Sequence, residues 1–312
     1  MDLVRAAYLY ALSRLKGIGP RYAFVIARSF SDPESLIAAS SSDLRARLGW
    51  RVASAIGPVL PSQWQPLWRT AHDVMLRHEE LGVCPVPITS DSYPWLLKLI
   101  PDPPIILYVK GTLSTVQNSD AVAVVGTREP TEGGRVVANR VARGFASSGY
   151  VVVSGLARGI DTEAHKGALD ARGLTVAVMP TSLDSVYPAE NKPLAERILA
   201  NGGALVSELP LGTRTHHANF AKRDRIQSGL SLAVIPVQTD MRDGTRHTVG
   251  FAREHNRPIF CPTPSYQEAA LEQYSGILDL IRMGKAVEFQ ADSYQSLLTT
   301  ISEHKTRLYP HT

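Results

Sequence analysis

Two glycine-rich turns, each with an arginine, follow two of the apolar runs in this sequence. The residues of interest are Gly126, Thr127 and Arg128 in the first turn, and Ser154, Gly155, Arg158 and Gly159 in the second. A turn that joins a strand to a helix presents backbone N–H groups to an anion, and a guanidinium group is a planar donor suited to phosphate. These turns predict a phosphate-binding site, unless their glycines serve only tight packing. Their spacing matches neither G-x-G-x-x-G nor G-x-x-x-x-G-K-S/T, so dinucleotide dehydrogenases and P-loop NTPases are disfavoured.

A third cluster places three cations beside an aromatic ring. Its members are Phe220, Lys222, Arg223 and Arg225, and Lys192 is a further predicted phosphate-binding residue after the third apolar run. A basic cluster with a stacking residue suits a sugar–phosphate chain, although a solvated charged face is the common alternative. Ligands of parallel sheets bind at the carboxyl ends of the strands. We therefore expect the two turns and this cluster to converge on one anion-binding rim.

Asp161 and His165 are four residues apart, so they can share one face of a helix. If they are catalytic, they would form an acid–base pair. If they are structural, Asp161 would be an N-cap and His165 would anchor the helix. The structural interpretation is favoured, because no nucleophile or set of metal ligands accompanies them. The sequence thus predicts a binding protein with no catalytic residues, no metal and no cofactor.

Short apolar runs alternate with helical patterns from Ala121 onward. The runs cover 121–125, 150–154, 174–179, 203–208, 230–237 and 259–262, and the helical patterns cover 133–148, 161–172, 190–201, 219–229 and 245–256. Continuous apolar runs are typical of strands buried on both faces of a parallel sheet. Strand–helix alternation of this kind predicts a doubly wound, mostly parallel α/β sheet. Two more helical patterns follow residue 266.

Residues 3–83 have helical patterns instead. Breaks at 17–20 and at Gly49 divide them into two helix–hairpin–helix units and a longer helix at 64–81, with Ser42 as an N-cap. The Gly-Ile-Gly turn at 17–19 has a form that lets backbone amides approach a DNA phosphate, or it is a packing module. Six prolines between 85 and 104 predict an extended linker. The expected domains are a helical one at 1–82, an α/β one at 83–265 and a helical extension at 266–312.

The composition sets the broad class. The chain has 312 residues, of which 44% are hydrophobic and 20% are charged, so collagen-like and disordered classes are excluded. Two cysteines cannot form a disulfide framework or a four-cysteine zinc site, and they fit a reducing cytosol. No membrane span and no secretory signal peptide is expected. The net charge of +4 permits a polyanionic partner without requiring one.

The motifs together resemble the DNA-processing protein A family. The family pattern runs G-S-R, S-G-L-A-R-G-I-D-x-x-A-H, L-D-x-x-Y-P-x-E-N, S-E-x-P and F-x-x-R-N-R-I-I-x-x-L-S. Here it occurs in order at 126–128, 154–165, 183–191, 207–210 and 220–231, after a Tyr93-Pro94 pair. The resemblance implies an extended Rossmann-like domain after a small all-helical domain of the helix–hairpin–helix or SAM-like kind. It also implies binding of single-stranded DNA without sequence preference, loading of a RecA-type recombinase, a homodimer and no enzymatic activity.

The chain departs from the family pattern in its basic cluster. Asp224 replaces the asparagine of R-N-R, Gln227 replaces an isoleucine, and S-G-x-x-x-T becomes Asp243-Gly244 with Thr248. Gly244 is included among the predicted phosphate-binding residues. The winged-helix domain that ends many members is expected to be absent.

The expected role is cytoplasmic DNA recombination, natural transformation or a related defence process. One alternative is a nucleotide-binding or nucleotide-hydrolysing Rossmann-like enzyme, whose P-G-G-x-G-T-x-x-E motif is absent from the sequence. Another alternative is a regulatory partner of a second protein, which sequence does not separate from the first role.

Overall fold

The computed structural model describes residues 2–117, 120–240, 244–290 and 294–308. The chain divides into two compact units, which are described separately. The first unit comprises Met1–Tyr93 and Asp102–Val109, and the second comprises Pro94–Pro101 and Lys110–Thr312. The candidate site lies in the second unit.

Helices dominate the first unit. Its elements are α1 (Asp2–Arg14), α2 (Pro20–Ser29), α3 (Pro33–Ile37), α4 (Ser41–Ile56), α5 (Leu60–Glu80), β1 (Val83–Pro87) and β2 (Ile106–Gly111), along which the chain passes into the second unit. The apolar face of α1 packs against α5, where Tyr8 meets Trp64 edge-on with 5.8 Å between ring centroids. The helical patterns predicted for this region are confirmed.

Gly49 divides α4 into two helices, as the sequence predicts, because its φ of 75° lies in the left-handed region that glycine tolerates. The N-cap predicted at Ser42 is wrong, since α4 begins after Ser40. The Ser40 hydroxyl accepts a hydrogen bond from the Asp43 amide, and the Asp43 carboxylate accepts one from the Ser40 amide. This reciprocal pairing requires a spacing of three residues to the acid, which Ser40 has and Ser42 lacks.

The proline-rich stretch is folded, so the prediction of an extended linker is wrong there. Val83–Pro87 forms β1, in which every side chain except that of Cys84 is buried. The Tyr93 hydroxyl donates to the carbonyl of Pro104 over 2.7 Å and ties two parts of the stretch together. Proline removes a backbone donor but has a φ compatible with a strand, so several prolines do not by themselves prevent packing.

A parallel sheet forms the centre of the second unit. Its strands are β3 (Ala121–Val125), β4 (Val151–Ser154), β5 (Thr175–Val178), β6 (Ala204–Ser207) and β7 (Ala233–Pro236). They lie in the order β6-β5-β4-β3-β7, and all their residues are buried, as continuous apolar runs predict. The α/β class is therefore confirmed. The strand order reverses between β3 and β7. The chain adds β4, β5 and β6 in turn on one side of β3, and then places β7 on the other side of β3.

Helices connect these strands and cover the sheet. They are α6 (Trp95–Lys98), α7 (Leu113–Gln117), α8 (Glu132–Ser147), α9 (Ile160–Asp170), α10 (Lys192–Ala200), α11 (Ala218–Gly229) and α12 (Thr245–Glu254). The core under α8 and α9 consists of small and apolar side chains, with Val141 and Phe145 fully buried against Val122 and Val152. All five helices predicted between strands are present.

The C-terminal part adds a second, small sheet and two helices. Its elements are β8 (Phe260–Pro262), α13 (Ser275–Arg282), β9 (Val287–Phe289) and α14 (Gln295–Leu308). β8 and β9 pair in parallel, with Phe260 opposite Val287. The two helical patterns after residue 266 are confirmed. In the part of the chain that the structure describes, no helix is both long and apolar enough to cross a membrane.

Candidate nucleic-acid interface

A cavity of about 700 Å³ opens at the carboxyl edge of the sheet, where the strand order reverses. It is lined from three sides, by the turn at 125–129 after β3, by residues 244–248 at the start of α12, and by residues 217–227 along α11. Open α/β sheets bind their ligands in the crevice at such a switch point. The topology therefore brings together segments that are far apart in sequence.

The turn after β3 is held in place by backbone contacts. The Thr127 amide donates to the carbonyl of Gln238 over 2.8 Å, and the Ile160 amide donates to the carbonyl of Thr127 over 3.2 Å. A Cβ on Gly126 would lie 2.5 Å from the Ile160 side chain, so only glycine allows this close approach. The tightly held backbone leaves the Arg128 side chain exposed at the mouth of the cavity.

An aromatic ring stands beside that arginine. The guanidinium carbon of Arg128 is 5.5 Å from the centroid of the Phe220 ring, and Tyr187 meets Phe220 edge-on at 5.3 Å. These three side chains also line a second cavity of about 310 Å³, which opens next to the first. A cation beside an aromatic face is the combination that recognises a phosphate and a stacked base of a single strand.

Arg223 is buried under the cavity and fastens α11 to the sheet. One of its terminal nitrogens donates to the carbonyls of Gly155 and Val178, at the ends of β4 and β5, and its Nε donates to Asp224 Oδ1 over 3.0 Å. The residue is 6% exposed. Its Nε and one terminal nitrogen are therefore committed to the protein's own acceptors, so the residue contributes to position as well as to charge.

Two buried carboxylates, Asp161 and Asp224, accompany Arg223. Burial raises the pKa of Asp224 to about 6, against the attraction of Arg223, with Asp161 as a nearby like charge. Burial also raises the pKa of Asp161, while Arg223 and the hydrogen bonds it accepts oppose that rise. The buried Arg223 therefore faces two carboxylates at the floor of the cavity, and the unpaired positive charge comes from residues at the rim.

Asp161 and His165 have structural partners. The Asp161 carboxylate accepts hydrogen bonds from the amides of Gly155 and Ala157 and so fixes the turn after β4. The predicted N-cap role is wrong, because Gly159 is the N-cap and Asp161 lies in the first turn of α9. His165 Nδ1 lies 2.7 Å from the hydroxyl of Thr175, and burial, with Arg223 nearby, lowers its pKa to about 3. This neutral, buried imidazole anchors α9 to β5.

Two other predicted cations are paired with carboxylates. The Arg225 guanidinium makes two contacts with Glu208, at 2.7 and 3.1 Å, and Arg225 is 7% exposed. The Arg158 Nε donates to Glu190 over 2.6 Å in an exposed pair. The rim cations Arg128 and Arg246 have no carboxylate partner among residues 2–117, 120–240, 244–290 and 294–308. These two arginines are the ones available to a ligand in the larger cavity.

The predicted site residues divide into two groups. Those that line one or both cavities are Gly126, Thr127, Arg128, Gly155, Arg158, Phe220, Arg223 and Gly244. Those that line neither are Ser154, Gly159, Lys192, Lys222 and Arg225. Ser154 is buried and donates to the carbonyl of Val124, and Gly159 has a φ of 77° that suits glycine in the turn. Asp243 lies outside the described residues.

Sequence reasoning missed several cavity residues. Tyr187 forms a wall beside Phe220, and its only signal was the Tyr-Pro pair of the third motif. Gln227 and Thr248 face the larger cavity, with the Thr248 hydroxyl 3.4 Å from Gln227 Oε1. Within the described residues, no group of three or more His, Cys, Asp or Glu side chains is placed to hold a metal ion.

Comparison with known proteins shows that this chain is similar to one protein family and to solved structures. A sequence model of the family described as DNA recombination-mediator protein A matches residues 85–299. DNA processing protein DprA of Bacillus subtilis is 36% identical over 226 residues, which are 72% of this chain and 74% of that protein. Protein Smf of Synechocystis is 39% identical over 207 residues, which are 64% of this chain and 50% of that protein. This chain thus matches about half the length of one curated relative and three quarters of the other.

Two solved structures are similar over most of their length. That of DNA processing protein A from Streptococcus pneumoniae has a TM-score of 0.72 and 29% identity, and the match covers 94% of this chain and 95% of that one. A structure that concerns the single-stranded DNA binding mode of the Helicobacter pylori protein has a TM-score of 0.61 and 28% identity, and covers 71% of this chain and 96% of that one.

Proposed function

The chain belongs to the DNA recombination-mediator protein A family, and we propose on that premise that it binds single-stranded DNA and acts in DNA processing and recombination. The observation that carries the proposal is the exposed Arg128 beside the Phe220 ring, at the switch point of the sheet. Single-strand binding of the Helicobacter pylori relative supports it. The strand would place a phosphate on Arg128 and Arg246 and stack a base on Phe220. Stacking of this kind does not depend on base identity, because every base has a π-face.

The finer parts of the role rest on family membership. We assign to the protein the loading of a RecA-type recombinase, in recombination, natural transformation or a related defence process. We also assign to it a homodimeric state and a cytoplasmic location. No catalytic step is included, because the carboxylates of Asp161 and Asp224 are engaged by the turn after β4 and by Arg223.

Fluorescence anisotropy with labelled oligonucleotides tests the proposal. The parent protein should bind a single strand more tightly than a duplex, and Arg128→Ala should weaken that binding. Each phosphate contact adds about 0.7 to the slope of log affinity against log salt concentration for single strands, so the slope should fall by about that amount. Arg197→Ala is a matched control, because Arg197 is exposed on α10 and lines neither cavity.

The same titrations also define the result that would refute the proposal. Arg128 is exposed, so its loss should leave the thermal unfolding temperature unchanged and the comparison concerns binding alone. If Arg128→Ala and the parent bind alike at every salt concentration, the strand does not use this cavity and the proposal is wrong.

A further inference from the structure

The outer face of α8 carries an arginine-rich cleft that the family motifs do not include. A cavity of about 410 Å³ lies along this face, between it and Glu163 of α9. The α8 residues that line it are Glu132, Arg135, Val136, Asn139, Arg140 and Arg143. At about 100° per residue these six positions fall within an arc of about 140°, opposite the buried face of the helix.

Three arginines outnumber the two acids that line this cleft. Arg135, Arg140 and Arg143 form no ion pair within the described ranges of the chain. Of the two acids in the cleft, Glu163 is paired with Lys166 at 2.9 Å, and Glu132 lies in the first turn of α8, where a carboxylate offsets the helix dipole. Three guanidinium groups are therefore left to face solvent or a ligand.

The cleft and the larger cavity are lined by neighbouring residues of the same two chain segments. Glu129 lines the larger cavity, and Glu132, at the start of α8, lines the cleft. At the start of α9, Asp161 lines the larger cavity and Glu163 lines the cleft. Along the chain, the lining of the cleft starts three residues after Glu129 on the first segment and two residues after Asp161 on the second. A polymer that leaves the larger cavity along these segments would pass onto α8.

We propose that the outer face of α8 is a second phosphate-binding track, which holds the single strand after it leaves the larger cavity. From Arg135 to Arg143 the helix rises about 12 Å, which matches about three phosphates of a stacked strand. Guanidinium groups bind phosphate through planar, paired donors, and spaced arginines on a helix suit a repeating polyanion. The inference rests on the proposed function and adds to it the path of the strand.

The test compares oligonucleotides of two lengths. A short oligo(dT) fits the larger cavity alone, whereas a longer one also reaches α8. The parent protein should bind the longer strand more tightly and with a steeper salt dependence. Arg135→Gln, Arg140→Gln and Arg143→Gln together should leave the short strand unaffected, remove the gain with length, and lower the salt slope for the long strand by about 2.

Two further variants sharpen the comparison. A charge-matched triple variant with glutamine at the exposed Arg172, Arg197 and Arg253 should bind both strands like the parent, which excludes a simple net-charge effect. Val136 is 49% exposed at the centre of the face, so Val136→Lys should strengthen binding of the long strand and steepen its salt slope by about 0.7.

Failure of the track and failure of the proposed function give different results. If the α8 triple variant binds the long strand like the parent, or if the control triple loses the same affinity, the track is wrong and binding in the larger cavity stands. If the parent binds neither strand, the proposed function and the track are both wrong.

Discussion

Replacement of Asp224 by asparagine should stabilise this protein. The residue is 8% exposed, and its Oδ1 accepts a hydrogen bond from Arg223 Nε over 3.0 Å. Burial raises its pKa from 3.8 to about 6, so the fold disfavours the ionised carboxylate even beside Arg223. Asparagine keeps both the volume and the accepting oxygen while it removes the buried charge.

The size of the effect follows from that pKa difference. A difference of about 2 units corresponds to about 3 kcal/mol between the two protonation states. For an acid whose pKa is raised by folding, stability is highest at low pH and falls as the pH rises from the unfolded to the folded pKa. Below pH 3.8 the two proteins should be equally stable, and above pH 6 Asp224→Asn should be more stable by up to about 3 kcal/mol.

Urea unfolding followed by circular dichroism at several pH values between 3.5 and 8 measures this difference. Glu196→Gln, an exposed acid-to-amide change on α10, is the control and should leave stability unchanged at every pH. The variant should also bind single-stranded DNA more tightly at neutral pH, because one negative charge is removed from the cavity, and this gain should shrink near pH 5. A variant no more stable than the parent at pH 8 would show that Arg223 fully compensates the carboxylate and would refute the reasoning.

Two further predictions concern Phe220 and Arg225, with Arg158 as the comparison for Arg225. Phe220→Ala should weaken single-stranded DNA binding by about 1–3 kcal/mol through the loss of one stacked base, with an unchanged circular dichroism spectrum; equal anisotropy titrations would mean that no base stacks there. Arg225→Ala should lower the free energy of unfolding by about 1–3 kcal/mol, because it leaves the partly buried Glu208 carboxylate without its cation. Arg158→Ala breaks an exposed ion pair with Glu190 and should leave the thermal unfolding temperature unchanged. If Arg225→Ala and Arg158→Ala lose equal stability, the argument from burial is wrong.

Local sequence pattern determined the elements of the α/β unit. Runs such as 121–125 and 174–179 contain only apolar residues and threonine, and a strand buried on both faces requires such runs. The glycine turns after β3 and β4 were also predictable from sequence. Gly159 provides a positive φ, whereas the close approach that Gly126 permits is to Ile160, 34 residues along the chain. The position of Arg128 at the carboxyl edge followed from these two features together.

Tertiary structure alone decided which cations are free. Lys222, Arg223 and Arg225 look alike in sequence, yet Arg223 is bound to the ends of β4 and β5 and Arg225 to Glu208, while Lys222 is exposed and lines neither cavity. Glu208 is 17 residues from Arg225 in the chain, and no spacing rule predicts that contact.

The arginine face of α8 was hidden for a related reason. Its positive charge matters because the residues that line the cleft on α8 and α9 follow, within three positions of the chain, residues that line the larger cavity. Sequence spacing gives the face of one helix, whereas the strand order β6-β5-β4-β3-β7 decides what that face lies next to. Charge and burial at a binding site depend on such long-range neighbours, so local patterns fix the elements and the tertiary contacts fix the site.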